Sequence, residues 1–424
     1  MKSILKPIVV LILAFFAHAV IRRYHPRIVM ITGSVGKTST KDAVAAVLGT
    51  RLYVRKSEKS FNSEFGVPFT ILGVENPWKN PFAWFSLMKR AVALLVLPNH
   101  YPNMLVLEVS ADKPGDLAGI LRIATPDMVV VTRLPEIPVH VEAYASPEAV
   151  REEEFSPAYA LPANAPLIVL ADDAYAFDNA VRTPARVISY GIGEDVNTRI
   201  SDVDFYESEG KVAGMQAKVS AGGEEGFCIV RGSVGKTQLL PVAAAVAAAQ
   251  DFEIPLSEAL KALESYESPP GRGRLLAGKN GSVIIDDSYN ASPAAVEEAL
   301  ATLKAFPRAK RRIAVLGDML ELGRYSVMEH ERVGALASAS ADLVVTVGIR
   351  ARAFAVPANG TEVIQCNNSY DAARILPEQL RAGDVVLVKG SQSIRTERIV
   401  EALLANSADG VQLARQEKKW KQKV

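Results

Sequence analysis

The pattern of apolar and polar positions divides the chain into a leading apolar run and two series of buried strands. Residues 4–21, ILKPIVVLILAFFAHAVI, are apolar almost without interruption and of borderline length for a membrane-spanning helix. Lys2 and Lys6 stand at its start; Arg22, Arg23 and Arg27 follow it. Three readings compete. The run could be a cleaved leader, since Ala17-His18-Ala19 resembles a small-x-small cleavage site. It could be a buried core helix, because only residues 8–21 are free of charge. It could be a membrane anchor, the reading favoured by length.

After this run the rhythm changes. RIVMITG predicts a buried strand entering a glycine loop, and TSTKDAVAAVLG the helix leaving it, ended by Gly49. MLVLEVS (104–110) and DMVVVTRL (127–134) are further all-apolar strands, with the helical stretch DLAGILRIA between them. Such runs belong to a parallel sheet covered on both faces. The insert PWKNPFAWFSLMKRAVALLVLP (77–98) predicts a helix over that sheet, or a surface touching a bilayer with Trp78 and Trp84 at headgroup depth.

A second βα series begins near 282 with SVIIDDS, RRIAVLGD, ADLVVTVG and DVVLVKGS. The Pro/Gly stretch SYESPPGRGR (265–274) reads as a linker. The expected fold is therefore α/β. Residues 1–26 are an anchor helix, 27–267 a central P-loop domain with a parallel sheet, and 268–405 a Rossmann-like doubly wound domain. Residues 406–424 form a basic tail, expected to be frayed or to touch anionic lipid.

Composition narrows the partners. A formal net charge of +1 in 424 residues gives no electrostatic case for nucleic acid. Cys228 and Cys366, the two cysteines, cannot make a disulfide framework, which fits a reducing compartment. A monomer is expected.

The hexapeptide GSVGKT occurs at 33–38 and again at 232–237. In the first copy a strand leads in and a helix leads out, the context of a phosphate-binding loop. Gly33, Ser34, Val35 and Gly36 would turn backbone N–H groups towards a phosphate, Lys37 would reach the outer phosphates, and Thr38 or Ser39 would hold Mg²⁺. The second copy is followed by Gln238 and by Pro241 in the first helical turn, and reads as a tight turn before a helix. Glu108 ends an apolar strand near the loop, the usual place for a second Mg²⁺ contact. His140 is one of five histidines and precedes the acidic run Glu152-Glu153-Glu154. Because ATP is cytoplasmic, this chemistry demotes the cleaved-leader reading and puts the protein on the cytoplasmic face of a membrane.

Together TGSVGKTSTK, FNSEFGVPFTIL, LVLEVSADKPGDLAGI, PDMVVVTRL, PGRGRLL, IIDDSYNASPAAVEEAL, IAVLGDMLELGRYSVMEHERVG and LVKGSQS resemble the Mur ligases, the ATP-dependent amide-bond ligases of peptidoglycan precursor synthesis. The DDSYNASP and GDMLELG block resembles the branch that adds D-alanyl-D-alanine to a muramoyl peptide. The resemblance implies ATP and Mg²⁺ as cofactors, with a muramoyl-peptide carboxylate and D-Ala-D-Ala as substrates. Lys37 and the loop would hold phosphate, while Thr38, Glu108 and His140 serve Mg²⁺. It implies Arg274, with Arg272 as second choice, at the γ-phosphate, and Asp287 and Asn290 at the nucleoside. Asn62, Asp318, His330, Lys389 and Ser391 would line the substrate cleft.

Three departures stand out. Residues 1–26 occupy the place of the family's UDP-sugar domain. Glu154 falls where the family has a carbamylated lysine that binds Mg²⁺, and could be a built-in carboxylate substitute. Thr237-Gln238 replaces a His-Asn pair. Two other readings remain: a membrane-anchored ligase of the poly-γ-glutamate type, and a degenerate fold that binds ATP as a scaffold.

Overall fold

The computed structural model describes residues 2–58, 61–77, 80–355 and 361–421. Among these, the strands form two sheets. In the nine-stranded sheet the order is Val54–Lys56, Met104–Glu108, Arg27–Thr32, Met128–Val131, Pro166–Leu170, Arg186–Gly191, Thr198–Ser208, Lys211–Ala221 and Glu224–Arg231. All pairings are parallel up to Thr198–Ser208; the last three strands run antiparallel to one another. The first strand in sequence thus lies well inside the sheet, with Ile31 opposite Glu108 on one side and Val130 on the other.

The unbroken apolar runs follow from this position. Successive side chains of a strand point to opposite faces. Val29 and Ile31 enter one core with Val106 and Val130, whereas Ile28 and Met30 enter another with Leu105, Leu107 and Val129. Neither face tolerates a polar residue until the strand ends. On the first face, helix Lys37–Leu48 packs against helix Leu240–Gln250, whose alanines permit close approach. The helices that follow the two GSVGKT copies are therefore neighbours.

The six-stranded sheet has the order Arg274–Ala277, Val283–Asp287, Asp384–Lys389, Arg311–Gly317, Leu343–Val347 and Glu362–Cys366. Only its Arg274–Ala277 edge is antiparallel.

The apolar N-terminal run is a helix, Lys2–Tyr24, and its stretch Pro7–Tyr24 is long and apolar enough to cross a membrane. It does not stand free of the domain. Leu13, Ala17 and Val20, one helical stripe, are buried in the second core, and the Tyr24 ring stacks on Tyr101 at 4.5 Å. The insert is helix Pro81–Val96, capped by the Asn80 side chain and buried along Leu87, Ala91 and Leu94. Trp84 is half-buried against Phe69, whereas Phe82 and Phe85 of the same helix are exposed; Trp78 lies outside the described residues.

The tail departs from expectation. Arg415 is buried, pairs with the buried Glu397 at 3.0 Å and donates to the Ser288 and Tyr289 carbonyls. It anchors the segment as far as Trp420, whose ring lies near both Arg395 and Arg415.

Candidate active site

Strand Arg27–Thr32 ends where the first hexapeptide begins, and two glycines make the turn. Gly33 has φ 118°, and a Cβ there would stand 2.3 Å from the Thr132 hydroxyl. Gly36 has φ 93° with open space in front of it, so backbone is presented where a side chain would otherwise be. Helix Lys37–Leu48 starts at once, aiming its first-turn N–H groups and positive dipole end at the same space. Ser34 and Val35 donate their N–H groups to the Arg133 carbonyl, which pins the loop to the next strand. The Lys37 ammonium curls back onto the Gly33 carbonyl.

Glu154 holds the base of this loop. It is buried on helix Pro147–Tyr159 and accepts from four donors. Thr32 Oγ1 (3.1 Å) and the Gly33 N–H (3.4 Å) reach one oxygen; Ser110 Oγ (3.0 Å) and the Ala111 N–H (3.2 Å) reach the other. The carboxylate is thus occupied by protein and does not line the cavity beyond the loop.

That cavity, of about 570 Å³, opens between the two sheets. Ser34, Gly36, Lys37, Thr38, Asn62, Glu108 and His140 come to it from the central domain; Asn290 and Ser391 come from the other side. Glu108 is buried, with one oxygen 3.4 Å from the Asn62 amide and the other without a partner. A buried, unpartnered carboxylate oxygen in the cavity that Thr38 also lines suits a Mg²⁺ ion that takes one carboxylate plus phosphate oxygens and water. Among the described residues no cluster of three His, Cys, Asp or Glu offers a closed metal cage.

His140 is engaged differently from expectation. Its φ is 67°, its Nδ1 lies 3.0 Å from Glu321 and its Nε2 3.6 Å from Asp112. Burial pulls its pKa down, but the Glu321 hydrogen bond and the two carboxylates outweigh this and raise it. In this arrangement the imidazole is an ion-pair partner across the domain junction.

A second, narrow cavity adjoins the back of the loop. Val35, Thr38 and Ser39 of the first hexapeptide region face Thr237 and Gln238 of the second, with Asp287 and Lys389 beyond. Lys389 is buried, with its ammonium 2.7 Å from Asp287 and 2.9 Å from the Asn290 carbonyl. Burial lowers its pKa and the Asp287 carboxylate opposes that. Lys389 therefore fixes Asp287 and the Asn290 turn.

The second GSVGKT has a different setting from the first. It follows an antiparallel edge strand and pairs by backbone with the linker: Val234 donates to the Gly273 carbonyl at 2.8 Å, and Leu275 to the Gly232 carbonyl at 2.9 Å. Its approach leaves no room for a Cβ on Gly273, 2.7 Å from the Val234 carbonyl. Lys236 is half exposed and turns to Glu298 at 3.6 Å.

This pairing places the two linker arginines differently. Arg274 begins the edge strand and its guanidinium goes to Glu267 at 3.3 Å, away from both cavities. Arg272, in the turn before it, borders both cavities and lies over the Tyr289 ring at 4.3 Å. The first choice from sequence, Arg274, thus lines neither cavity, and the second choice, Arg272, lines both.

Two expected cleft residues are elsewhere. His330 is fully buried; its Nε2 accepts from the Met319 N–H at 3.0 Å and its Nδ1 donates to the Ser326 carbonyl at 2.6 Å, with Phe354 against the ring. Burial lowers its pKa. Asp318 spends its carboxylate on the Ala351 N–H at 2.6 Å. Both shape the loop whose Leu320 N–H donates to Ser391 Oγ, and neither borders the cavity. Sequence reasoning missed Asp112, Glu321, Tyr289, Arg395 and Trp420, all of which line it. Glu321 left a trace in the glycine-flanked LGDMLELG turn; Trp420, in a run of lysines, left none.

Comparison with known proteins agrees with this geometry. Residues 31–249 match the Mur ligase middle domain, and residues 271–392 match the Mur ligase, glutamate ligase domain. The chain is 29% identical over 394 residues to UDP-N-acetylmuramoyl-tripeptide–D-alanyl-D-alanine ligase of Bacillus subtilis, covering 92% of this chain and 78% of that protein. It is 26% identical over 391 residues to the enzyme of the same name from Escherichia coli, covering 90% and 77%. The MurF ligase of Thermotoga maritima, solved in complex with ADP, superposes with a TM-score of 0.75 at 26% identity, covering 93% of this chain and 83% of that one. A nucleotide loop facing a second doubly wound layer, matched along both layers in this order, makes the chain a member of the Mur ligase family, the ATP-dependent carbon–nitrogen ligases of peptidoglycan synthesis.

Proposed function

We propose that the protein joins D-alanyl-D-alanine to the terminal carboxylate of a muramoyl peptide, on the cytoplasmic side of the membrane where ATP is available. The observation that carries this reading is the single cavity in which Lys37, Thr38 and Glu108 face Arg272, Asn290 and Ser391. The named relatives add support, because they carry out that addition.

The chemistry follows from the residues. The acceptor carboxylate attacks the γ-phosphorus of ATP, the bond to the bridging oxygen breaks, and ADP leaves. The free amine of the dipeptide then attacks the acyl carbon, loses a proton and expels phosphate. Both steps move charge between phosphate and carboxylate oxygens, so positioned cations and dipoles do most of the work. Lys37 and the helix N-terminus bind the phosphates. Arg272 neutralises charge on the transferring group from the opposite wall, its planar guanidinium held over the Tyr289 ring. Glu108 and Thr38 would hold Mg²⁺, which supplies charge neutralisation on the phosphates. Glu154 keeps the loop in shape from behind. Lys389 orients Asp287 and the Asn290 turn for the nucleoside.

The test is phosphate release from ATP and Mg²⁺ with a UDP-linked muramoyl tripeptide, with and without D-Ala-D-Ala. Release that depends on the dipeptide, with an amide product of the combined mass, is the expected result. Release driven by glutamate alone, or none with any amine, overturns the proposal.

A further inference from the structure

Helix Lys2–Tyr24 is long enough to span a bilayer, yet one stripe of it is packed into the folded domain. Leu13, Ala17 and Val20 are sealed into a core that also holds Leu87, Ala91 and Leu94 of helix Pro81–Val96 and the whole of helix Gly66–Leu72. A crossing orientation would drag that shared core into the hydrocarbon. What the fold leaves bare is the opposite stripe. Leu11 is 69% exposed and Phe15 67%; on the second helix Phe82 is 84% exposed and Phe85 73%, with Val92 and Val96 continuing the line. Both buried stripes enter one core, so both bare stripes face away from it. The two helices are clamped at their C-terminal ends, where Arg23 donates to the Leu95 and Leu97 carbonyls and the Tyr24 hydroxyl to the Leu94 carbonyl at 2.8 Å. Contiguous aromatic and aliphatic exposure on this scale marks an interaction surface.

Charge identifies what covers it. Residues 2–24 and 81–98 contain no aspartate or glutamate, while Arg22, Arg23, Lys89 and Arg90 are exposed around the apolar stripes. A second copy of the chain would set these cations against their own kind. Anionic lipid headgroups would meet them with opposite charge, and lysine and arginine stems can reach past an apolar layer to that depth.

We propose that the joint face of helices Lys2–Tyr24 and Pro81–Val96 docks on an anionic bilayer, with the first helix lying in the plane of the headgroup–acyl boundary rather than across the membrane. The docking is separate from the ligase reading and survives or fails independently of it.

The full chain is floated with vesicles of phosphatidylcholine containing phosphatidylglycerol, and with phosphatidylcholine alone. It should float with the first and more weakly with the second. The variant Phe15→Ser/Phe82→Ser/Phe85→Ser should lose at least about tenfold in binding. Its thermal unfolding should be unchanged, because all three rings are exposed. Depth is read from nitroxide labels at Phe15→Cys and Phe85→Cys; the native Cys228 and Cys366 are buried and do not compete. Both labels should sit at the same shallow depth. Three results would each overturn the proposal: a Phe15 label at the midplane with the Phe85 label in water, a triple variant that floats like the parent, or a parent that ignores vesicles and sediments as a dimer.

Discussion

The Glu154 carboxylate accepts the Ser110 hydroxyl at 3.0 Å on one oxygen and reaches the first glycine of the nucleotide loop with the other. It therefore ties two neighbouring strand ends, Thr32 and Ser110, into one rigid floor. Glu154→Gln turns an amide NH₂ towards donors, and should cost about 1–3 kcal/mol of stability and weaken ATP binding. The apparent Mg²⁺ requirement at saturating ATP should stay the same, which a titration of phosphate release against Mg²⁺ checks. A large rise in that requirement would instead make Glu154 a metal carboxylate.

The two linker arginines should separate cleanly. Arg272→Ala removes a cation from the cavity wall and should lower turnover about a hundredfold or more with little change in ATP affinity. Arg274→Ala breaks a surface pair with Glu267 and should leave turnover nearly intact, with under about 1 kcal/mol lost in stability. Steady-state phosphate release of the two variants decides it.

The two hexapeptides make a matched pair of tests. Lys37→Ala should cost ATP affinity at least about a hundredfold, because its ammonium crosses the loop. Lys236→Ala removes a half-exposed lysine near Glu298 and should change affinity by no more than about threefold. Equilibrium binding of a fluorescent ATP analogue measures both.

Asp286 predicts a pH dependence of stability. It is fully buried, one of its oxygens has no partner, and burial pushes its carboxyl from 3.8 to about 6. The folded state thus keeps a proton that the unfolded state has lost between about pH 4 and 6. In that window the folded state binds more protons, so stability falls as pH rises and then levels off. Asp286→Asn removes the penalty. Its melting temperature should exceed the parent's at pH 7 and approach it at pH 4, as calorimetry at both pH values will read. An equal gap at the two pH values would contradict the assignment.

Arg415→Met should destabilise the protein by about 3 kcal/mol, since Glu397 would stay buried with half its pairing gone. Urea unfolding measures the loss. The same change removes one of the two arginines beside Trp420, leaving Arg395, which donates to the Trp420 carbonyl at 2.8 Å.

How legible each feature was depends on how local its cause is. The first GSVGKT could be read because strand, loop and helix adjoin in sequence; its tethers to Arg133 and Glu154, far downstream, could not. The choice of Arg272 over Arg274 could not. It rests on Gly271 and Gly273 both taking positive φ and on the edge strand starting one residue later, against a partner some forty positions upstream. His330 reads as a candidate cleft histidine from its motif, but the Met319 N–H and Ser326 carbonyl that use both its nitrogens belong to the packing of loop on helix. Trp420 sits in a run of lysines that suggests a solvated end, and only distant Arg395 and the buried Arg415 give it a place. The N-terminal helix hides its two-faced character because both faces are apolar. Only the fold distinguishes the stripe it buries from the one it shows.

The join between that helix and the nucleotide loop has a metric consequence. Helix Lys2–Tyr24 passes through His25 and Pro26 directly into strand Arg27–Thr32, and Gly33 follows. A six-residue strand advances about 20 Å. Whatever surface holds the helix is therefore coupled by a stiff spacer to the point where phosphate is handled. An acceptor carried by a lipid would need its peptide to stand off by no more than about that length, and one arriving from solution would meet a site at fixed elevation.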